Sequence, residues 1–367
     1  TIQDNWSELG IDVEVKPLEY AATSQNVTQD ARANHVSFRY HTSSPDRLDP
    51  LEMVRRFAVD WAGDNGKANN AQYANCEFTE YAVAQSTEGD EDERREIVYN
   101  AFEKFTEDTA CIPTLPALGF SLVNTDRVAI NTDGSRGVTM LNTPSLVSAE
   151  PKGDANAVTV NTPPSILQTA NFMTNQSSSA VGLWGHYVYS PLTEYDENYE
   201  LRNLLASNYE VEDGGRTITV ELRDAQFHNG DPITAEDVKF TYELLFNNSG
   251  AYPHVLVPPW DSIELVDDKT ARFNLTEPFL PLITAVWPRW GILHKDSWMP
   301  AKENPEQFEN TDMIGSGPFE VAQFDQGSSM ILEGFSDHPV YDADHRLIFQ
   351  AFRDLQSTYN AFSAQEV

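Results

Sequence analysis

Residues 216–246, RTITVELRDAQFHNGDPITAEDVKFTYELLF, are the most strongly patterned stretch of the chain. Apolar residues first alternate with polar ones, which predicts a half-buried strand; these residues are Ile218, Val220 and Leu222. The Asn-Gly and Asp-Pro pairs that follow are typical of a turn. Thr234 with Asp237 three residues later resembles a capping box, so a helix is predicted to begin there. A strand, a turn and a helix in succession are compatible with a mixed α/β fold.

The same stretch resembles the N-lobe motif of the family 5 extracellular solute-binding proteins, the peptide-binding receptors of ABC importers. In that family a strand is followed by a run similar to LRDGVKFHDGTPLTAEDV and then by a helix. Residues 313–341, MIGSGPFEVAQFDQGSSMILEGFSDHPVY, are similar to a second family motif almost position for position. The resemblance implies a two-lobed α/β fold of the periplasmic-binding-protein type II class with mixed sheets, either incomplete or permuted.

The order of the lobes differs from that of an ordinary family member, which runs from N-lobe to C-lobe and back. Residues 73–116 resemble a C-lobe segment of the family, yet they precede the N-lobe motifs. The resemblance therefore implies a C-lobe portion at 1–123, a linker or lobe crossing at 124–157 and an N-lobe at 158–367. Three explanations stay open: a fragment across the junction of two tandem copies, a circular permutant with a reduced C-lobe, or a gene-model join.

The charge balance is strongly acidic, with 24 Lys and Arg against 57 Asp and Glu and a formal net charge of -33. Such a surface repels nucleic acid, which excludes nucleic acid as a partner. Disorder is disfavoured, because 40% of the residues are hydrophobic and 11% aromatic. Concentrated salt would screen the self-repulsion of so many acids. We therefore expect a halophilic protein of archaeal origin.

The sequence contains no apolar run of the roughly 18 residues that a membrane span requires, and no signal peptide. The resemblance implies an extracellular, cell-surface location, with membrane attachment only through an anchor absent from this chain. Cys76 and Cys111 are compatible either with a disulfide or with two free thiols, and the sequence does not decide between these alternatives.

No catalytic constellation, metal-ligand spacing or cofactor motif stands out in the sequence. The turn at residues 315–317 is not a nucleophile elbow. The run EDERRE at 91–96 predicts a solvated face of a helix whose N-cap is Asp90. The resemblance implies the substrate-binding component of an ABC importer, with a peptide or small polar solute as ligand and a permease as partner. The alternative is a secreted hydrolase that acts on a peptide or a glycoside.

The ligand-binding residues are likewise implied by the resemblance. The C-lobe loop at 40–49 supplies four candidates: Tyr40, Ser43, Ser44 and Asp46. A serine replaces the aspartate with which the family commonly binds a peptide's amino terminus, so a sugar or another small polar solute is an alternative ligand. The N-lobe supplies four more candidates: Ser178, Ser179, Trp287 and Trp290. The tryptophans are expected either to stack on a ligand or to pack in the core.

Overall fold

The computed structural model describes residues 2–15, 48–59, 69, 73–110, 122–130, 143–153, 155–175, 184–252 and 255–364. Its helices are α1 (Ile2–Glu8), α2 (Pro50–Arg55), α3 (Cys76–Thr87), α4 (Glu91–Glu107), α5 (Thr143–Val147), α6 (His186–Val188), α7 (Ala235–Asn247), α8 (Lys295–Trp298) and α9 (Leu355–Ser363). Its strands are β1 (Val128–Ala129), β2 (Glu150–Pro151), β3 (Ala157–Thr162), β4 (Thr193–Tyr195), β5 (Leu201–Asn203), β6 (Ala206–Glu212), β7 (Thr217–Leu222), β8 (Trp260–Leu265), β9 (Thr270–Leu275), β10 (Phe319–Asp325), β11 (Ser329–Gly334) and β12 (Arg346–Ala351).

Two four-stranded sheets organise the second half of the chain. One has the order β6-β7-β9-β8 and is antiparallel throughout. The other has the order β10-β11-β12-β3, in which β3 pairs parallel to β12 and the other pairs are antiparallel. Two-stranded pairs form between β1 and β2 and between β4 and β5. The predicted α/β class with mixed sheets is therefore confirmed.

The strand, turn and helix predicted at residues 216–246 are confirmed. In β7, Ile218 and Val220 are fully buried and their polar neighbours are more exposed. The helix α7 begins after Thr234, and the carboxylate of Asp237 accepts hydrogen bonds from the Thr234 backbone N–H at 2.9 Å and from its hydroxyl at 2.8 Å. The apolar face of α7 then packs on the sheet, because Val238, Tyr242 and Leu245 are all fully buried.

The described residues contain two hydrophobic cores. The large core joins both four-stranded sheets to α5, α6, α7 and α8. The small core lies among α2, α3 and α4 and consists of Val54, Ala58, Phe78, Ala82, Val98 and Ala101. The two cores meet at α2, because Leu51 belongs to the large core while Val54, one turn later, belongs to the small one.

The charge run at the start of α4 was predicted as a wholly solvated face, and for one residue this was wrong. Asp90 is the N-cap, accepting from the backbone N–H groups of Asp92 and Glu93 at 3.0 Å each. The acids of the first turn are exposed, but Arg94 is buried. Arg94 lies on the same helical face as Val98 and Ala101, the face that forms the small core. At the start of α3, Cys76 is an exposed free thiol.

Candidate functional site

Six of the eight predicted ligand-binding residues lie outside the described residues: Tyr40, Ser43, Ser44, Asp46, Ser178 and Ser179. The structure does describe Trp287 and Trp290, and also Asp49, which ends the predicted C-lobe loop. Of the two predicted ligand-binding segments, these three are the residues whose contacts can be followed.

Trp287 and Trp290 are core residues in this conformation, with exposed fractions of 0% and 1%. The Trp287 ring packs against Phe273 at a centroid distance of 5.6 Å and edge-on to Tyr209 at 5.9 Å. The guanidinium of the buried Arg289 lies 5.5 Å from the centroid of the Trp290 ring. Neither tryptophan presents an open ring face, so here both stabilise the fold through burial of apolar area.

The π-helical turn Leu282–Val286 leads into these tryptophans and is fastened to β4. Thr193 in β4 donates its side-chain hydroxyl to the carbonyl of Ile283 at 3.1 Å. Tyr195 donates its hydroxyl to the carbonyl of Thr284 at 2.8 Å. These two hydrogen bonds give the carbonyl oxygens of Ile283 and Thr284 side-chain partners. They also set the position of the Thr284 side chain.

Asp49 is buried, with an exposed fraction of 3%, and its carboxylate is fully engaged. Arg94 binds it through two N–H groups, at 2.9 Å and 2.7 Å. Oδ1 also accepts from the backbone N–H of Leu51 at 2.8 Å, and Oδ2 accepts from the hydroxyl of Thr284. With both oxygens occupied in this way, Asp49 has no free acceptor for the amino terminus of a peptide.

The bond between Asp49 and Thr284 brings the end of the C-lobe loop to the segment that precedes Trp287. The two residues are 235 positions apart in the sequence. The structure thus places Asp49, the last residue of the predicted C-lobe loop, within hydrogen-bond distance of Thr284, which lies three residues before the predicted segment 287–290. Residues at 40–46 and 287–290 flank this junction along the chain.

The residues that hold this junction were missed in the sequence: Gln85, Arg94 and Thr284. Arg94 donates from Nε to the backbone carbonyl of Gln85 at 2.9 Å and from Nη2 to its side-chain oxygen at 2.9 Å. The helical spacing of Arg94, Val98 and Ala101 was a usable signal, because a charge on an apolar face requires a buried partner. Nothing in the local sequence identifies Asp49 or Thr284 as that partner.

A buried serine and histidine form the nearest approach to a catalytic pair among the described residues. The Oγ of Ser190 lies 2.9 Å from Nε2 of His338. However, Nδ1 of His338 accepts from the backbone N–H groups of Tyr341 at 2.9 Å and Val340 at 3.3 Å. The neutral ring therefore carries its hydrogen on Nε2 and donates it to Ser190, which is the reverse of a base that activates a nucleophile.

Burial keeps this histidine neutral and inaccessible. Desolvation, together with the nearby His228 and Arg223, lowers the pKa of His338 to about 3. Ser190 is fully buried, so a substrate cannot reach its hydroxyl in this conformation. The hydrogen bond between Ser190 and His338 connects the end of α6 to the loop before β12, and its role in this conformation is to hold these two segments together.

The described part of the chain contains no group of three His, Cys, Asp or Glu side chains placed to hold a metal ion. Within the same residues, every helix is too short or too polar to cross a membrane.

Comparison with known proteins finds a similarity to one protein family in the second half of the chain. Residues 200–367 match the profile of the bacterial extracellular solute-binding proteins, family 5 Middle. The probable D,D-dipeptide-binding periplasmic protein DdpA of Escherichia coli is 29% identical over 131 residues, which are 35% of this chain and 25% of DdpA.

Two solved structures are similar in fold. NikZ from Campylobacter jejuni, in complex with Ni(L-His), has a TM-score of 0.50 and 22% identity over 59% of this chain and 43% of NikZ. The oligopeptide-binding protein AppA from Bacillus subtilis, in complex with a nonapeptide, has a TM-score of 0.50 and 21% identity over 58% of this chain and 43% of AppA. The chain thus spans less than half of the length of these relatives, and its residues 200–367 are similar to the middle region of the family 5 extracellular solute-binding proteins.

Proposed function

We propose that this chain belongs to the substrate-binding component of an ABC importer, which captures a peptide or a similar small polar solute and delivers it to a permease. The observation that carries the proposal is the match of residues 200–367 to family 5. The Escherichia coli relative is a probable D,D-dipeptide-binding protein, and AppA holds a nonapeptide. Peptides are accordingly the first solutes to test.

The proposed ligand site lies at the junction of Asp49 and Thr284. On the C-lobe side we assign it Tyr40, Ser43, Ser44 and Asp46. On the N-lobe side we assign it Ser178, Ser179, Trp287 and Trp290. Because Arg94, Leu51 and Thr284 occupy the Asp49 carboxylate, Asp46 is the acid of this loop that we assign to a ligand's amino group. The two tryptophans are buried in the large core in this conformation, so a contact with a ligand would require a rearrangement of that core.

We further propose the lobe order that the sequence resemblance implies, with a C-lobe portion at 1–123, a crossing at 124–157 and an N-lobe at 158–367. The small helical core at 54–101 and the separate large core are compatible with this division. The intact mass of the native protein, together with its flanking reading frame, distinguishes a tandem-copy fragment, a permutant and a gene-model join. An N-lobe encoded directly upstream supports tandem copies, and a native start codon next to Thr1 excludes them.

We also propose an extracellular, surface-attached and halophilic protein. The net charge of -33 supports the halophilic part, since salt screens repulsion among acidic side chains. Circular dichroism during a KCl titration tests it. We expect the folded fraction to increase with salt up to molar concentrations, and full folding in dilute buffer would contradict this origin.

The direct test of function is a thermal-shift screen in molar KCl with synthetic dipeptides to nonapeptides, sugars and amino acids, followed by calorimetry on each hit. A ligand that binds only the folded state raises Tm in proportion to the logarithm of its concentration. The screen is run on this chain and on the full-length native protein. The absence of any stabilising solute for the full-length protein would overturn the proposal, whereas hydrolysis of a peptide or glycoside would favour the hydrolase alternative.

A further inference from the structure

Two buried asparagines, Asn171 and Asn310, each bind the chain segment that carries the other. Their exposed fractions are 0% and 2%. The side-chain amide of Asn171 donates to the backbone carbonyls of Pro305 at 3.1 Å and Phe308 at 2.9 Å. The side-chain amide of Asn310 donates in return to the backbone carbonyl of Ala170 at 2.9 Å. Because these N–H groups have their acceptors, the direction of each side-chain oxygen is fixed as well.

The two side-chain oxygens of this pair have no donor in the described part of the chain. Oδ1 of Asn171 and Oδ1 of Asn310 are both removed from solvent, and neither accepts a hydrogen bond. Buried polar atoms in folded proteins almost always have a partner, since an unpaired one has lost its hydration without replacement. A donor other than the described residues is therefore expected beside these oxygens.

The hydroxyl of Tyr189 lies at the same place, because its oxygen accepts from the second N–H of the Asn310 amide at 2.9 Å. Tyr189 is fully buried. Burial raises the pKa of Tyr189, and the nearby Asn310 amide and Trp298 indole oppose the shift only in part. The hydroxyl therefore keeps its hydrogen at neutral pH, and no described side chain or carbonyl accepts that hydrogen.

The indole of Trp298 supplies a further donor. Its ring is edge-on to Tyr189 at a centroid distance of 6.3 Å and packs against Phe308 at 4.9 Å. The N–H group is near enough to the Tyr189 oxygen to influence its pKa. However, Nε1 of Trp298 is buried and forms no hydrogen bond of acceptable geometry within the described residues. A buried indole N–H usually finds an acceptor.

Two acceptors and two donors thus converge on one position in the large core. The acceptors are the side-chain oxygens of Asn171 and Asn310, and the donors are the Tyr189 hydroxyl and the Trp298 indole. A water molecule donates two hydrogen bonds and accepts two, so it matches this set. A cation would be repelled by the two donor hydrogens, and an anion by the two carbonyl oxygens.

We propose that one water molecule is an integral part of the core at this position, bound by Asn171, Tyr189, Trp298 and Asn310. The water joins the start of the turn Phe172–Thr174, the end of α6, the end of α8 and the segment 305–310. Aromatic packing also connects these segments, but hydrogen bonds to a water are directional and specify one arrangement. The water site does not depend on the proposed function.

Cross-peaks between water and protein hydrogens in rotating-frame NMR spectra test the proposal, because they arise only close to a long-lived water. The signal to observe is the indole N–H of Trp298, which is assigned by its absence in Trp298→Phe. The matched control is Trp184 in the same protein. Trp184 is equally buried and contacts the same Phe172 ring, but its indole N–H donates to the Ile166 carbonyl at 3.0 Å.

We expect the water cross-peak of Trp298 to be at least about fivefold stronger than that of Trp184, with the sign of a through-space contact and not of exchange. Equal intensities, or no cross-peak at Trp298, would overturn the proposal.

A tyrosine hydroxyl that exchanges its hydrogen with solvent produces a similar cross-peak, and Tyr189→Phe separates the two sources. The water keeps three of its four partners in this variant, so the Trp298 cross-peak should retain at least about half of its intensity. Complete loss of the cross-peak, with circular dichroism unchanged, would show that the hydroxyl was its source and would overturn the proposal.

A crystal structure of the protein grown in molar RbCl gives a second measurement that requires no substitution. We expect an electron-density peak at roughly 2.7–3.2 Å from the side-chain oxygens of Asn171 and Asn310, without the anomalous signal of rubidium. The absence of such a peak, or a rubidium ion in its place, would overturn the assignment of a water.

Discussion

Arg94 donates two parallel hydrogen bonds to the carboxylate of Asp49, 45 residues away in the sequence, at 2.9 Å and 2.7 Å. Both side chains are buried, with exposed fractions of 9% for Arg94 and 2% for Asp49. A bidentate pair of this kind is directional and fixes the orientation of both partners. It joins the start of α2 to α4 and so holds the small core together at one end.

Removal of one member of this pair should strongly destabilise the protein. In Asp49→Asn the buried guanidinium of Arg94 loses its counter-charge, and we expect the free energy of unfolding to fall by about 3–5 kcal/mol. Chemical denaturation in molar KCl, followed by circular dichroism, measures the change. The control is Asp92→Asn, whose partner Arg95 is half-exposed and whose own side chain is 86% exposed; it should leave the denaturation midpoint unchanged. Equal effects of the two substitutions would contradict the prediction.

The start of α7 should depend on Asp237 and much less on its neighbour Glu236. The Asp237 carboxylate accepts from the backbone and hydroxyl of Thr234 and from the backbone N–H of Lys295 at 3.1 Å. Asp237→Ala leaves these half-buried donors without their acceptor, so we expect a loss of about 2 kcal/mol in the free energy of unfolding.

Glu236→Ala is the matched control for that prediction, because Glu236 is exposed and its carboxylate accepts a hydrogen bond from the Lys295 ammonium group at 2.7 Å. Denaturation of the two variants under identical conditions measures the difference. A larger loss in Glu236→Ala than in Asp237→Ala would contradict a role for the cap.

Stability should fall as the pH decreases below about 6.5, in part because of His228. Burial lowers the pKa of His228 to about 4, against a partial opposing effect of the Gly317 carbonyl. The unfolded state, with a pKa near 6.5, binds the proton more readily, so the contribution of His228 is complete above pH 6.5 and is lost between about pH 6.5 and 4. At roughly 1.4 kcal/mol per pH unit, the loss is roughly 3 kcal/mol.

His228→Gln isolates this contribution, because glutamine keeps an acceptor and a donor but does not titrate. The free energy of unfolding of both proteins is measured at several values from pH 7 to pH 4. We expect the curve of the variant to fall less steeply than that of the parent over this interval. Parallel curves would show that His228 does not contribute.

Gly315 should tolerate no side chain. A Cβ at this position would overlap the carbonyl oxygen of Val188, which accepts from the backbone N–H groups of Ser316 at 2.9 Å and Gly317 at 2.8 Å. Relief of the overlap must break these bonds. In Gly315→Ala the free energy of unfolding should therefore fall by about 4 kcal/mol, or the protein should fail to fold. A Cβ at Gly250 would meet no atom within 4 Å. The free energy of unfolding of Gly250→Ala should therefore stay within about 0.5 kcal/mol of that of the parent. Thermal denaturation and soluble yield measure both.

Local sequence was sufficient for elements whose stabilising contacts lie nearby in the chain. The alternation in β7 and the cap formed by Thr234 and Asp237 were predicted because side-chain periodicity and turn residues act over a few positions. The Asp90 cap of α4 was predicted for the same reason. The resemblance of residues 216–246 and 313–341 to family motifs extended these local patterns to a fold class.

Contacts between distant residues were decided only by the tertiary structure. Arg94 was predicted to face solvent because it lies in the charged run EDERRE, whose other five residues are indeed exposed. Its partner Asp49 lies 45 positions away, so no local pattern pointed to the pair. In the same way, the sequence allowed Trp287 and Trp290 to be either a ligand platform or core residues, and only their packing within the large core made them core residues in this conformation. Periodicity determines which face of an element is buried, but the partner that covers the face depends on how distant segments pack. For this protein the sequence by itself determined local elements and a resemblance to a family, and the tertiary structure alone decided that Asp49 meets Thr284 and that Gly89 meets Gly214.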